Sequence, residues 1–379
     1  MKFSVDKERF LSALGIAVRG ASTRSAIQTL AGVMVHAESG AVELQATDME
    51  LGVRVRVQVE PEREGSGVVP GRLLLDVVRS LPTAELSFEY RSSQGDVEVV
   101  SGSARFHLRT LPADEFPRLP EVGDAAVMKL PSPAFVETIN RVARAASRDE
   151  TRPHLTGVLV SASERELRMV ATDSYRLSVK ETALEQPLDG SLEANVPART
   201  LQELGRIAAG GADGDIEVAS LEHQVIFRLG DVTLSSRLVE GRFPNYKQLL
   251  PETFEHELRV STPELLEVVR RVSLLAQKNA PLRLRFSEGT LEISAQTPDI
   301  GEASESLPVP FQGEPLEIGF NPDFLREGLE SAEADELVLK LISPLRPGLI
   351  ESAAGGGGDG DGGGGGSFLY LVMPIRLNV

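Results

Sequence analysis

A spacing of about 125 residues recurs along this chain and constrains its fold more than any composition figure. The triplet Ala-Thr-Asp stands at Ala46–Asp48 and again at Ala171–Asp173, each time after an alternating apolar stretch. Other landmarks keep the interval. "VDKERFLSALGIAV" from Val5 is followed by "LPSPAFVETINRVARA" from Leu130 and "VSTPELLEVVRRVSLLA" from Val260. Pro70 in "VPGRLLLDVVRSL" leads to Pro197 in "VPARTLQELGRIA" and Asn321 in "FNPDFLREGLESA"; Pro117 leads to Pro244. A third, degenerate copy of the triplet reads "AQTPDIG", with Asp299 as the counterpart of Asp173. A fixed period of this kind is the signature of repeated architecture.

Each repeat reads as strand, helix, several strands, then helix and several strands again. Ser132-Pro133 and Thr262-Pro263 read as helix caps followed by proline in the first turn. Phe135, Ile139, Val142 and Ala146 share one helix face. Pairs such as "DVEVVSG" with "ARFHLRTL" alternate as hairpin strands. The expected class is therefore α+β: three repeated units, each with two helices packed on mostly antiparallel sheets. Linkers near Pro120–Ala126 and Pro251–His256 give domains at 1–125, 126–254 and 255–379. Ala353–Ser367, "AAGGGGDGDGGGGGS", reads as a disordered loop, because glycine this dense cannot offset its ordering entropy. Asp359 and Asp361 resemble one copy of a calcium-binding glycine–aspartate repeat, too short to form such an array.

The charge is unevenly distributed. The chain of 379 residues carries a formal net charge of −17, which by itself argues against a nucleic-acid partner. Yet the six helical segments (7–19, 71–81, 132–148, 198–208, 262–278 and 321–331) together carry +5, leaving −22 for the rest. That segregation fits helices gathered on one basic surface. Helices set about 10 Å apart around a ring leave a hole of about 9 Å for six and about 28 Å for twelve. Duplex DNA, roughly 20 Å wide, passes only the second, so one chain would be too few for such a ring and two would suffice.

Catalytic signatures are missing. There is no P-loop, no G-x-G-x-x-G after a strand, no G-x-S-x-G and no H-E-x-x-H. With 0 Cys there is no thiolate chemistry, and His36, His107, His154, His223 and His256 lack ligand spacing. No catalytic, cofactor or metal site is expected. Asp48 and Asp173 read as turn-formers. No apolar run is long enough to span a membrane, and the N-terminus lacks an apolar signal region.

"MKFSV", "ATDSYRL", "RFPNYKQLLP" and the closing "YLVMPIRL" together resemble the bacterial DNA polymerase III beta subunit, the sliding clamp, over the whole chain. The resemblance implies three clamp-type units closing as a head-to-tail dimeric ring around duplex DNA, without catalysis, in the cytoplasm and at the nucleoid. It implies a hydrophobic groove for partner peptides at Leu155, Thr172, Tyr175, Arg176, Leu177, Pro244, Leu249, Asn321, Phe324, Leu345, Leu371, Val372, Met373, Pro374, Ile375 and Arg376. The replicative polymerase, the clamp loader and other polymerases and repair proteins would share it. Ser174-Tyr175 replaces the family's usual Gly-His, and an aromatic near Asn279 is missing. The implied dimer contact sets Phe106 and Leu108 against Leu274 and Leu275. DNA-facing candidates are Arg24, Arg141, Arg144, Arg148, Arg152, Arg199 and Arg270, meeting phosphate without reading bases. The alternative is a β-rich repeat scaffold that encircles no DNA.

Overall fold

A computed structural model describes residues 1–22, 25–211, 214–276, 280–353 and 366–377. Arg24, Asn279 and nearly all of the glycine-rich segment, with Asp359 and Asp361, lie outside them.

The period is visible as one element order written three times. The first repeat runs β1 (Lys2–Asp6), α1 (Lys7–Ala17), β2 (Gly32–Glu38), β3 (Ala41–Thr47), β4 (Leu51–Gln58), β5 (Gly65–Pro70), α2 (Gly71–Ser80), β6 (Glu85–Arg91), β7 (Asp96–Ser101) and β8 (Ala104–Arg109). The second runs β9 (Val127–Leu130), α3 (Ser132–Val142), β10 (Gly157–Ser163), β11 (Glu166–Thr172), β12 (Arg176–Ala183), β13 (Ser191–Pro197), α4 (Ala198–Ala209), β14 (Ile216–Ser220), β15 (Gln224–Leu229) and β16 (Val232–Arg237). The third runs β17 (His256–Ser261), α5 (Thr262–Ser273), β18 (Leu282–Ser287), β19 (Thr290–Thr297), β20 (Gly301–Pro308), β21 (Leu316–Phe320), α6 (Pro322–Ala332), β22 (Glu336–Leu341), β23 (Gly348–Ser352) and β24 (Phe368–Val372).

Helix starts follow local chemistry. The Asp6 carboxylate accepts from the Arg9 amide at 2.9 Å, opening α1. Asn321 Oδ1 accepts from the Asp323 and Phe324 amides at 2.9 and 3.1 Å, with Pro322 at the first position of α6. Thr262 differs from expectation. It lies inside α5, Ser261 precedes the helix, and the buried Thr262 hydroxyl makes no hydrogen bond. Its backbone amide instead donates to the Asp335 carbonyl at 2.9 Å.

By its internal contacts the chain divides into two compact units that cut across the three repeats: Met1–Ser132 with Glu203–Leu238, and Pro133–Gln202 with Val239–Val379. The division cuts the second repeat because its halves pair with different neighbours. In the first unit an eight-stranded sheet runs β5-β2-β3-β4-β16-β15-β14-β9, beside a four-stranded sheet β1-β6-β7-β8. In the second unit the eight-stranded order is β13-β10-β11-β12-β24-β23-β22-β17, and the four-stranded order is β20-β19-β18-β21. Both long sheets join at an antiparallel seam between corresponding strands, β4 with β16 and β12 with β24. In the first unit Phe3, Phe10 and Phe88 stack around one centre, their ring centroids 5.0 to 6.2 Å apart.

The repeated triplet is a turn. Thr47 Oγ1 accepts from the Met49 amide, and Asp48 Oδ1 accepts from the amides of Glu50 and Leu51 at 3.1 and 2.8 Å. Thr172 and Asp173 repeat this with Ser174, Tyr175 and Arg176. The pattern forces the next residue into the left-handed region: φ is 79° at Met49 and 78° at Ser174. Asp299 corrects the alignment made from sequence. Its own φ is 67°, so it occupies the place of Met49 and Ser174 rather than that of the accepting aspartate. Asp48→Ala is expected to cost about 1 kcal/mol, since two amides exchange a carboxylate for water. Urea unfolding checks this; an unchanged midpoint would mean the turn holds without its acceptor.

Candidate functional site

In the second unit, the seam between β12 and β24 carries a groove on the face away from α6. Alternation places Leu177 and Leu371, directly paired across the seam, on that face. They belong to a buried apolar cluster with Val170, Val179, Tyr246 and Leu349. The opposite face turns Tyr370 against Gly328 of α6. Above the apolar floor lies a cavity of about 350 Å³ lined by Thr172, Ser174, Arg176, Leu177, Gln248–Pro251, Leu345–Pro347, Leu371 and Met373. Large apolar side chains stand open around it: Tyr175 is 60% exposed, Leu249 49%, Leu345 60% and Met373 40%. Such a concentration marks a docking surface.

Arg176 holds the groove wall. Its Nε pairs with Asp173 at 3.0 Å, its Nη2 donates to the Arg144 carbonyl at 2.7 Å, and its Nη1 reaches Glu327 and the Tyr370 hydroxyl. The guanidinium carbon lies 4.4 Å from the centre of the Phe324 ring. Burial opposes the charge, but Tyr370 and Glu327 outweigh it and hold the Arg176 pKa above its ordinary value. Burial likewise pushes the Tyr370 phenol up, and Tyr370 donates to the Phe324 carbonyl at 2.9 Å. The Met373 amide donates to the Tyr175 carbonyl at 2.8 Å, tying the last strand's continuation to the turn.

Seven of the residues expected at the groove line this cavity: Thr172, Arg176, Leu177, Leu249, Leu345, Leu371 and Met373. The others take different places. Leu155 and Val372 are buried, Asn321 caps α6, and Phe324 lies beneath Arg176. Pro244 and Pro374 are half-buried and Arg376 is exposed, while the Ile375 amide donates to Gly319. Ser174, noted from sequence beside Tyr175, lines the cavity as well; sequence reasoning missed Gln248, Leu250, Pro251, Arg346 and Pro347. The proline-flanked loops "QLLP" and "SPLRPG" were their available signal.

The first unit repeats the geometry without the apolar floor. At the β4–β16 seam the Arg237 amide donates to the Glu50 carbonyl at 3.0 Å, matching Met373 and Tyr175. Gly52 and Ser235 stand where the other seam has Leu177 and Leu371. The Leu119 side chain fills the gap, lying 2.7 Å from where a Cβ on Gly52 would be. A smaller cleft of about 110 Å³ remains, its lining mixed, with Thr47, Gln224 and Ser236 beside Met49, Leu119 and Pro120.

The expected DNA-facing arginines differ in setting. Arg141 corrects the expectation: its side chain is 13% exposed, donates to the Ala332 carbonyl and pairs with Glu137 and Glu333. Arg152 is also elsewhere, bonded to Asp149 and donating to Ser174 Oγ at the groove. Arg144, Arg148, Arg199 and Arg270 are exposed. Of the expected dimer residues, Leu274 is 82% exposed, Phe106 and Leu275 are half-buried, and Leu108 is packed into its own unit at 6%. No group of three His, Asp or Glu with metal-binding geometry occurs among the described residues.

Comparison with known proteins accounts for both repeat and groove. The N-terminal, central and C-terminal domains of the DNA polymerase III beta subunit match residues 1–120, 129–245 and 247–356. The chain is 34% identical over 383 residues to the beta sliding clamp of Streptomyces coelicolor, covering 100% of each. It is 31% identical over 379 residues to the beta sliding clamp homolog GriR of Streptomyces muensis, again covering 100% of each. The solved sliding clamp of Bacillus subtilis is similar in structure with a TM-score of 0.88 at 29% identity, over 100% of both chains. A sliding clamp of Bartonella birtlesii bound to griselimycin gives 0.89 at 30%, with the same coverage. With all three of its domains matched in order, the chain belongs to the DNA polymerase III beta subunit family.

Proposed function

We propose that this chain is a DNA sliding clamp: two copies close head to tail into a ring around duplex DNA and tether the replicative polymerase through the groove. The observation that carries this reading is a pair of unused edges. Beyond its neighbour within the repeat, the fourth strand of the first and second repeats pairs with the last strand of the following repeat, β4 with β16 and β12 with β24. The remaining members of the series, β20 and β8, each end a four-stranded sheet. Joining β20 to β8 of a second copy completes the series, and two such joins close a ring. The edges complement one another in charge, with Arg105 and Arg109 on β8 and Glu302 and Glu305 on β20.

The helices support the same join. Arg19, beyond α1, pairs with Glu203 of α4 at 3.0 Å, and Arg144, beyond α3, pairs with Glu330 of α6 at 3.1 Å. The third repeat has Leu274 at this position, open to solvent, while Leu73 of α2 is 50% exposed. An apolar contact between copies thus replaces an ion pair within the chain, with the half-buried Phe106 and Leu275 beside it and Leu108 packed behind them in its own unit. The three domains are 1–125, 126–254 and 255–379. The clamp loader and other polymerases and repair proteins use the same groove in turn, on the nucleoid. A native mass of twice the 40.8 kDa chain is expected at micromolar concentration; a monomer would contradict the join.

The groove assignment has its own test. Leu345→Ala with Met373→Ala removes two apolar walls that are already open, so folding is expected to be unchanged. Affinity for a polymerase tail peptide should fall by about 2–4 kcal/mol, from two side chains at about 1.5–3 kcal/mol each, discounted for partial burial. Calorimetry giving wild-type affinity would place the site elsewhere.

A further inference from the structure

Two of the exposed arginines assigned to the DNA side do not stand free. Arg144 Nη1 lies 3.1 Å from Glu330 Oε2, and Arg270 Nη2 lies 2.8 Å from Glu330 Oε1. One carboxylate on α6 thus bridges the segment after α3 to α5. The two arginine side chains are about half exposed, at 55% and 53%, and the glutamate 25%. Burial would raise the Glu330 carboxyl, but the hydrogen bond from Arg270 and the charges of Arg270, Arg144 and Arg326 outweigh it and hold it below the ordinary range. It therefore stays ionised between them at neutral pH.

A carboxylate also meets the matching arginine in the other unit, Glu203 of α4 with Arg19, but Glu330 stands at a different position of its helix. Counting five residues on from the buried Leu74, Leu201 and Leu325 gives Arg79, Arg206 and Glu330. Two helices put a cation where α6 puts an anion. The third acid of α6 besides Asp323 and Glu330 is Glu327, which is taken up by Arg176. The net negative charge of α6 is thus directed at arginines of its own chain.

We propose that Glu330 is a positioning residue that restrains Arg144 and Arg270, limiting how strongly this surface grips phosphate so that the ring slides rather than sticks. The inference rests on the sliding-clamp reading. A ring held by topology needs no tight electrostatic contact, and each phosphate neutralised by a freed arginine releases counterions and steepens the salt dependence.

The test is the salt dependence of duplex binding by the full-length protein, with Glu330→Gln compared to Glu333→Gln. The second variant makes the same charge change beside Arg141, whose side chain is mostly buried. Glu330→Gln is expected to bind linear duplex about 3- to 10-fold more tightly at low salt. Its log–log slope should steepen by about 1–2, from one or two added phosphate contacts at ~0.9 each. Its diffusion on DNA should be slower, and Glu333→Gln should stay near wild type in all three. A slope for Glu330→Gln equal to that of wild type or of Glu333→Gln overturns the proposal alone. Wild-type protein with no salt-sensitive duplex binding overturns the DNA reading, and the proposal with it.

Discussion

Leu274→Asp is expected to convert the protein from dimer to monomer. Leu274 is 82% exposed in the single chain, so an aspartate there costs little in folding. In the closed ring the same carboxylate would be buried against an apolar surface without a partner, at a cost of about 2–7 kcal/mol even when neutralised by protonation. The ring has two such joins by symmetry, so the penalty counts twice for the dimer. Sedimentation velocity should show one species of single-chain mass with an unchanged melting temperature. A variant that stays dimeric would mean that the third repeat meets its partner elsewhere.

Arg176→Ala should have the largest effect on stability. The guanidinium touches Asp173, Glu327, the Tyr370 hydroxyl and the Arg144 carbonyl, and lies over Phe324. Removing it leaves two carboxylates and a carbonyl facing a cavity beneath the groove. Breaking a buried pair from one side costs about 3–5 kcal/mol. Urea unfolding should show this loss, and peptide affinity should fall because the wall at Thr172–Leu177 loses its anchor. Arg176→Lys should recover only part of it, since one ammonium cannot reproduce the forked contacts. A loss below about 1 kcal/mol would mean that the acids find other partners.

The sequence carried the periodic part of this structure and concealed the pairings between repeats. Helix faces and alternating strands repeat near 125 residues, so three copies of one order were readable. The β4–β16 and β12–β24 seams leave no periodic trace, so the sequence did not show that the second repeat divides its halves between two compact units. The same limit acted on single residues. Arg141 has the spacing of a solvated helix arginine, but Ala332 and Glu333, which capture it, lie in another repeat. Leu108 alternates as an edge residue should, yet it is packed into its own unit. At the groove, Leu177 and Leu371 came from the family resemblance of "ATDSYRL" and "YLVMPIRL", and their pairing across the seam puts them on one face. Gln248, Pro251, Arg346 and Pro347 were not legible, because loop residues have no period.

Encirclement is tested most directly by topology. The protein would be assembled on a nicked circular plasmid by a clamp loader, then passed through a sizing column at salt that abolishes binding to free duplex. The ring is predicted to stay with the circle and to be lost once a restriction enzyme opens it, because a closed ring leaves DNA only over an end. Equal retention on circular and linear plasmid, or loss from both, would contradict the account.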